Sequence, residues 1–193
     1  MAGGSTDGAA VLRGLNRALG NPLSVEQLCE IGARLGADVP FCVVGGTAYA
    51  DGKGDVLHTL PSMPHCTLLV ACEGEGVSTP WAYRLLDEIY SDFDRESDYQ
   101  PKDTAALIEN IASGNILGVS AQIYNIFEAP VLSKRPVAKN VKELMLENGA
   151  ENAMMSGSGP SVFGIFLSLE KAEEAKEILG RNGFTAYVCF PCM

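Results

Sequence analysis

Apolar residues recur at helical spacing between Thr6 and Leu19, where Val11, Leu15 and Ala18, with Leu12 and Leu19 beside them, predict one apolar stripe. Gly20-Asn21-Pro22 ends that helix. A second helix begins at Ser24. Ser24 and Gln27 form the pattern of a capping box, and Leu23 with Leu28 that of a hydrophobic staple. Leu28, Ile31 and Leu35 continue its buried face, and Gly36 stops it. Asp38-Val39-Pro40 reads as a loop in which Pro40 biases Val39 towards an extended conformation. Short strands come next at Phe41–Val44, Thr47–Ala50 and Val56–Leu60, separated by Gly45-Gly46 and by the turn sequence DGKGD.

Pro61–Pro64 reads as a boundary, which gives two modules, 1–62 and 63–193. In the second, Thr67–Cys72 is an apolar strand. Thr79-Pro80 predicts an N-cap followed by proline at the first helical position, opening a helix through Leu85, Leu86 and Ile89. SDFDRESDYQPKD is acidic and aperiodic, hence a solvated loop. Helical patterns cover 104–113, 119–132 and 137–148, the last closed by Gly149. Glu151–Met155 and Ser161–Leu167 read as strands around SGSGP, Glu170–Leu179 as a helix and Thr185–Phe190 as a final strand. The order β, helices, β, β, α, β predicts a split βαβ, or ferredoxin-like, sheet with extra helices in its first crossover, and an α+β fold for the chain.

The 193 residues carry 24 Asp+Glu against 14 Lys+Arg, a formal net charge of −10. Neutralising nucleic-acid phosphates needs clustered Lys and Arg, so this balance argues against a nucleic-acid partner. Anionic small molecules would have to be held by a local device. There is no apolar run of about 18 residues to span a membrane, and MAGGSTDGAA lacks the charged and apolar regions of a secretory signal. Six cysteines are too few for a disulfide scaffold. Cys29, Cys42, Cys66 and Cys72 sit among apolar neighbours and read as buried small hydrophobes. Cys189 and Cys192 form one CFPC, without the second pair a zinc site needs, and no metal ligand is assigned. A reducing, cytoplasmic location is expected.

Candidate chemistry lies in four places. The segment Ala2 to Thr6, AGGST, precedes the first helix, whose free N–H groups and macrodipole make an anion site. Gly3 and Gly4 allow close approach, and Ser5 and Thr6 can cap the helix or donate to phosphate and Mg²⁺. A glycine-rich terminus with an N-cap serine explains the same residues. Asp38 in LGADVPFC can accept a proton from a substrate hydroxyl, or simply cap a turn. SGSGP can form a backbone nest for an anion, or serve only as a hairpin turn. Trp81 and Tyr83 can stack on a base, or pack in a core.

Taken together and in order, AGGSTDGAAVLRGLN, LGADVPF with GGTAYADGKGDVL, NIFE at 125–128 and SGSGPSVFGIF at 156–166 closely resemble the GHMP kinase superfamily over the whole chain. The resemblance implies part of an ATP-binding domain of the ribosomal protein S5 domain 2-like type over 1–62 and a ferredoxin-like C-terminal domain over 63–193. It implies ATP-dependent phosphorylation of a small molecule with Mg²⁺. The substrate it points to is a cytidine diphosphate-linked methylerythritol, phosphorylated on its 2-hydroxyl in non-mevalonate isoprenoid precursor synthesis. Ala2, Gly3, Gly4, Ser5 and Thr6 would wrap the ATP phosphates, Asp38 would activate the substrate hydroxyl, SGSGP would support the phosphate loop, and Tyr83 would lie against the cytosine ring. Family members begin with a further segment that carries a lysine partner for the aspartate. Without it, the chain is expected to turn over weakly at best and to self-associate through the surfaces left exposed. Another small-molecule kinase of the superfamily, or a non-catalytic ferredoxin-like binding module, are the alternative readings.

Overall fold

A computed structural model describes residues 2–52, 54, 56–72, 74, 76–90 and 103–192. The acidic loop expected over 91–103 lies, except for Asp103, outside the described residues, as do Lys53 and Asp55 of the DGKGD turn. The chain divides into two compact units, one comprising residues up to Met63 with the last two residues, the other Pro64–Pro191.

The first unit contains α1 (Gly3–Ala18), α2 (Val25–Ala33), α3 (Val39–Val44) and a hairpin of β1 (Ala48–Asp51) and β2 (Val56–Thr59). The capping box at Ser24 is formed in full: the Gln27 N–H donates to Ser24 Oγ at 3.3 Å, and the Ser24 N–H to Gln27 Oε1 at 2.9 Å. Ala9, Leu28, Val39 and Val43 make the small core, with Leu12, Leu23, Cys29 and Cys42 packed against it. Leu23 thus packs against the cluster that contains Leu28. Buried Asn16 fixes the connection from α1 to α2, because its carboxamide both donates to the Leu23 carbonyl and accepts from the Leu23 N–H, each at 3.0 Å. The hairpin register pairs Ala48 with Thr59 and Asp51 with Val56.

Several expectations fail, most of them in this unit. Phe41–Val44 is helical, not a strand. The Cys42 N–H donates to the Asp38 carbonyl and the Gly45 N–H to that of Phe41, and burial of Val39, Pro40 and Val43 with exposure of Phe41 and Val44 follows a helical face. A six-residue apolar run has no period to distinguish the two states, and proline is tolerated in a first turn. Val39 is accordingly helical despite preceding Pro40. The apolar stripe of α1 is not buried within the unit: Val11, Leu15 and Leu19 are 59%, 59% and 74% exposed, and the helix instead presents Ala9, Leu12 and Asn16 inward. Of the four cysteines read as buried, only Cys66 is; Cys72 is exposed and Cys29 and Cys42 are half-buried.

The second unit is a four-stranded antiparallel sheet in the order β4-β5-β3-β6, from β3 (Thr67–Ala71), β4 (Asn152–Met155), β5 (Val162–Phe166) and β6 (Ala186–Cys189). That is the ferredoxin-like order, with the first and third strands central. β3 pairs with β5 (Leu69 opposite Gly164) and with β6 (Leu69 opposite Val188), so Leu69 lies at the centre. Helices α8 (Pro136–Glu147) and α9 (Leu169–Arg181) cover one face and bury Met145, Phe166, Val162 and Leu179. The first crossover also holds α4 (Thr79–Tyr90), α5 (Ala105–Ala112), α6 (Ile116–Gln122) and α7 (Glu128–Lys134). A second cluster joins α4 to α7 through Ala82, Leu85, Val131 and Met155.

The expected helix over 119–132 is broken. α6 ends at Gln122 and α7 starts at Glu128, and between them Asn125 spends its side chain on backbone groups: Oδ1 accepts from the Phe127 N–H at 3.0 Å, which competes with a continuous helix. Thr79 is the first helical residue rather than the cap, with the Ser78 carbonyl accepting from Trp81 and Ala82. No helix among the described residues is long and apolar enough to cross a membrane.

Candidate active site

In the first unit the helix begins earlier than its sequence suggests, so Gly3, Gly4, Ser5 and Thr6 form the first turn of α1 instead of a loop before it. Ala2 is the N-cap, in the left-handed region at φ 34°. Its carbonyl accepts from the Thr6 N–H at 2.9 Å and from Thr6 Oγ1 at 3.0 Å. No side chain caps this end, no acidic residue lies in the first turn, and a Cβ at Gly3 or Gly4 would meet nothing within 4 Å. The first N–H groups of an α-helix have no intrahelical acceptor. An uncapped, unshielded start on a 16-residue helix thus offers donors and about half a positive charge to an anion. Ser5 is at the third helical position and does not act as the N-cap serine.

Asp38 is exposed at the N-cap of α3, and its carboxylate makes no capping bond there. The next residue is firmly held. The Val39 side chain is buried where three glycines converge: a Cβ would stand 2.9 Å from Val39 Cγ1 at Gly32, 3.6 Å from Cγ2 at Gly36 and 3.9 Å from Cγ2 at Gly8. At Gly8 the added Cβ would make only ordinary contact, so the close approach is the one at Gly32. The α1 start and the Asp38 segment also meet through Thr6 and Cys42. With the Thr6 hydroxyl hydrogen given to Ala2, the Cys42 thiol is left as donor across 3.8 Å, and the Cys42 N–H holds the Asp38 carbonyl at 3.2 Å.

In the second unit, α4 separates the two candidate aromatics. Trp81 is half-buried against the α4–α7 cluster, with the Arg135 guanidinium 5.4 Å above its ring. Tyr83 is 56% exposed, its ring edge-on to Phe127 at 5.1 Å and 89°. The SGSGP segment is a tight turn closed by the Ser156 N–H to the Ser161 carbonyl (2.8 Å) and the Gly159 N–H to the Ser156 carbonyl (3.0 Å). Gly157 and Gly159 have φ of 56° and 84°, values that favour glycine. Ser158 Oγ lies 3.1 Å from Thr79 Oγ1 at the start of α4.

Sequence reading missed two residues here. Asn125 Nδ2 donates to the Met155 carbonyl at 2.6 Å and the Gly157 carbonyl at 2.8 Å. Glu128 accepts the Met155 N–H on Oε1 at 2.8 Å and pairs with Lys142 through Oε2 at 2.7 Å. Both belong to NIFE, and an aperiodic Asn inside an apparent helix was the available signal. Among the described residues no group of three His, Cys, Asp or Glu side chains is arranged to hold a metal.

The chain is similar to several known proteins. A protein of Listeria monocytogenes serotype 4a, named 4-diphosphocytidyl-2-C-methyl-D-erythritol kinase, is 42% identical over 184 residues, covering 95% of this chain and 60% of its own length. A protein of the same name from Alkaliphilus oremlandii is 43% identical over 180 residues, 93% of this chain and 59% of its own. The chain therefore spans about 60% of the length of these curated relatives. A crystal structure of a 4-(cytidine 5'-diphospho)-2C-methyl-D-erythritol kinase superposes with a TM-score of 0.77 at 31% identity, over 98% of this chain and 65% of that one. The GHMP kinases N terminal domain matches residues 1–46, spanning the α1 turn and Asp38, and the GHMP kinases C terminal domain matches 106–185, spanning NIFE and the glycine-rich turn. With both of its domains matched in order, the chain belongs to the GHMP kinase family.

Proposed function

We propose that the protein is an ATP-dependent small-molecule kinase that phosphorylates the 2-hydroxyl of 4-diphosphocytidyl-2-C-methyl-D-erythritol, a step of non-mevalonate isoprenoid precursor synthesis in the cytoplasm. The observation that carries this reading is the likeness, at 42% identity over 95% of the chain, to a relative that bears that substrate in its name.

The local chemistry supports it. ATP phosphates fit the start of α1, where Ala2, Gly3, Gly4, Ser5 and Thr6 offer backbone donors and open space, with no acidic residue in the first turn. Mg²⁺, when bound with ATP, would supply charge neutralisation on the phosphates, and the oxygen donors nearest that end of the helix in sequence are Ser5 and Thr6. Asp38, exposed on a rigid base, is the group to take the proton of the attacking 2-hydroxyl. Phosphoryl transfer asks for positioning more than covalent chemistry, and buried Val39 gives Asp38 its fixed root. Tyr83 presents an exposed ring for the cytosine base. The exposed stripe of Val11, Leu15 and Leu19 is a surface for a second copy of the chain; a mass above that of the monomer in light scattering supports this, and a strictly monomeric mass contradicts it.

The kinase reading is tested by following transfer of the ATP γ-phosphate to three alcohols. Product from 4-diphosphocytidyl-2-C-methyl-D-erythritol, with none from homoserine or mevalonate, is expected. Transfer to either of the latter in its place would overturn the substrate assignment.

A further inference from the structure

We infer that Asn125 and Glu128 are positioning residues for the glycine-rich turn 156–160, setting the backbone conformation on which its contribution to phosphate binding depends. The functional half of this inference rests on the kinase reading above; the positioning half does not.

A turn with two left-handed glycines has several backbone states of similar energy, so something outside it must select one. Asn125 does so by gripping carbonyls on both sides of Ser156: Met155, the last residue of β4, and Gly157, the first left-handed position. Its Oδ1 is meanwhile held by the Phe127 N–H, which fixes the orientation of the carboxamide. Glu128 takes the Met155 N–H, so both backbone polar groups of Met155 are bound by the NIFE segment. Lys142 on α8 anchors Glu128 in turn, with the two side chains 23% and 19% exposed. Among the described residues the Gly157 and Ser158 N–H groups are given no acceptor, and they are the donors a nest would offer an anion. The same segment carries Phe127, against which Tyr83 rests edge-on, and the turn touches α4 again through Ser158 and Thr79. One short irregular stretch thus braces both candidate features of the second unit.

Asn125→Asp is the informative change, because it preserves shape and the Phe127 bond but turns the donor nitrogen into an oxygen facing two carbonyls. Amide hydrogen exchange is measured on the chain and the variant. Exchange at Ser156 and Gly159 should accelerate about thirtyfold, as the loss of two ordinary hydrogen bonds implies, while the β5 amides of Val162–Phe166 keep their protection. Glu128→Ala should loosen the same turn. Glu128→Gln, which keeps an acceptor for the Met155 N–H but gives up the Lys142 pair, should exchange more slowly than Glu128→Ala at Ser156 and Gly159, a partial rescue that general loss of packing would not show. Unchanged turn exchange in Asn125→Asp, or equal acceleration across β5, would overturn the positioning role. ATP–Mg²⁺ affinity, read in parallel by titration, should fall with the turn. A loosened turn with unchanged affinity would overturn its part in phosphate binding, and a wild-type chain that binds no ATP would instead count against the kinase reading, leaving the exchange result to decide the positioning role alone.

Discussion

Val39 and Gly32 are in contact so close that a Cβ added to the glycine would stand 2.9 Å from Val39 Cγ1. This packing holds the residue after Asp38 against α2, and it ties the placement of a candidate catalytic carboxylate to a helix glycine six positions upstream. In an exposed helix interior Gly→Ala is stabilising by about 0.5–1 kcal/mol. At Gly32 the overpacking cost, about 1–3 kcal/mol, wins. Gly32→Ala is therefore expected to lower the unfolding temperature of the chain. Gly14→Ala in α1, where a Cβ would meet nothing within 4 Å, should raise it. Thermal unfolding of the two variants checks the contrast, and equal shifts would show that Val39 yields freely.

Asp38 bears on chemistry rather than on stability, since its side chain caps nothing. Asp38→Asn should leave the stability within about 0.5 kcal/mol of wild type, as for surface changes generally. Any phosphoryl transfer should fall by about 10²–10⁴-fold, the range for a lost general base. ATP affinity should hold. A rate assay with a parallel nucleotide titration separates these effects.

Tyr83 and Trp81, two positions apart on α4, are expected to behave differently. Tyr83→Ala should weaken a cytidine diphosphate ligand by about 1–3 kcal/mol, the usual worth of one base–aromatic stack, without changing ATP affinity. Trp81→Ala should act on folding instead, because that ring packs against the core and carries Arg135 above it. Titrations of both variants with both ligands distinguish the roles.

Much of this was legible in the sequence and some was not. The capping box at Ser24, the hairpin strands and the ferredoxin-like strand order come from local signals: a side-chain oxygen at fixed offset, glycine turns, and periods of 2 and 3.6. Residues 41–44 carried no period to read, and at Asn125 the local bond to the Phe127 N–H that interrupts the helix is joined by bonds to the carbonyls of Met155 and Gly157, about thirty residues away, which no local signal announces. The resemblance named the residues of AGGST but not their state, since the helix starts at Gly3 where sequence put a loop. Burial was hardest. Leu15 and Leu19 have the right spacing for a core, yet among the described residues they stay exposed.

Thiol reactivity gives a pH test. Burial pushes the Cys66 thiol above the ordinary thiol range, with Cys189 adding to the effect. The folded state then favours the protonated thiol. Below about pH 8.5, the ordinary thiol value, both states are protonated and stability is unaffected; above it the unfolded chain loses its proton first, so this group's contribution to stability falls as pH rises. Cys66, 1% exposed, should resist alkylation at pH 8 while exposed Cys72 and Cys192 react. Mass spectrometry of the alkylated chain reads the order, and equal labelling of Cys66 would contradict its burial just ahead of β3.

The most direct test of the kinase reading is calorimetric titration of the chain with ATP–Mg²⁺ and, separately, with a cytidine diphosphate ligand. The start of α1 and the exposed face of Tyr83 predict that both bind, each between the micromolar and millimolar range, and that neither requires the other. Absence of binding by either ligand would contradict the assignment of Ala2 to Thr6 and of Tyr83 to these roles.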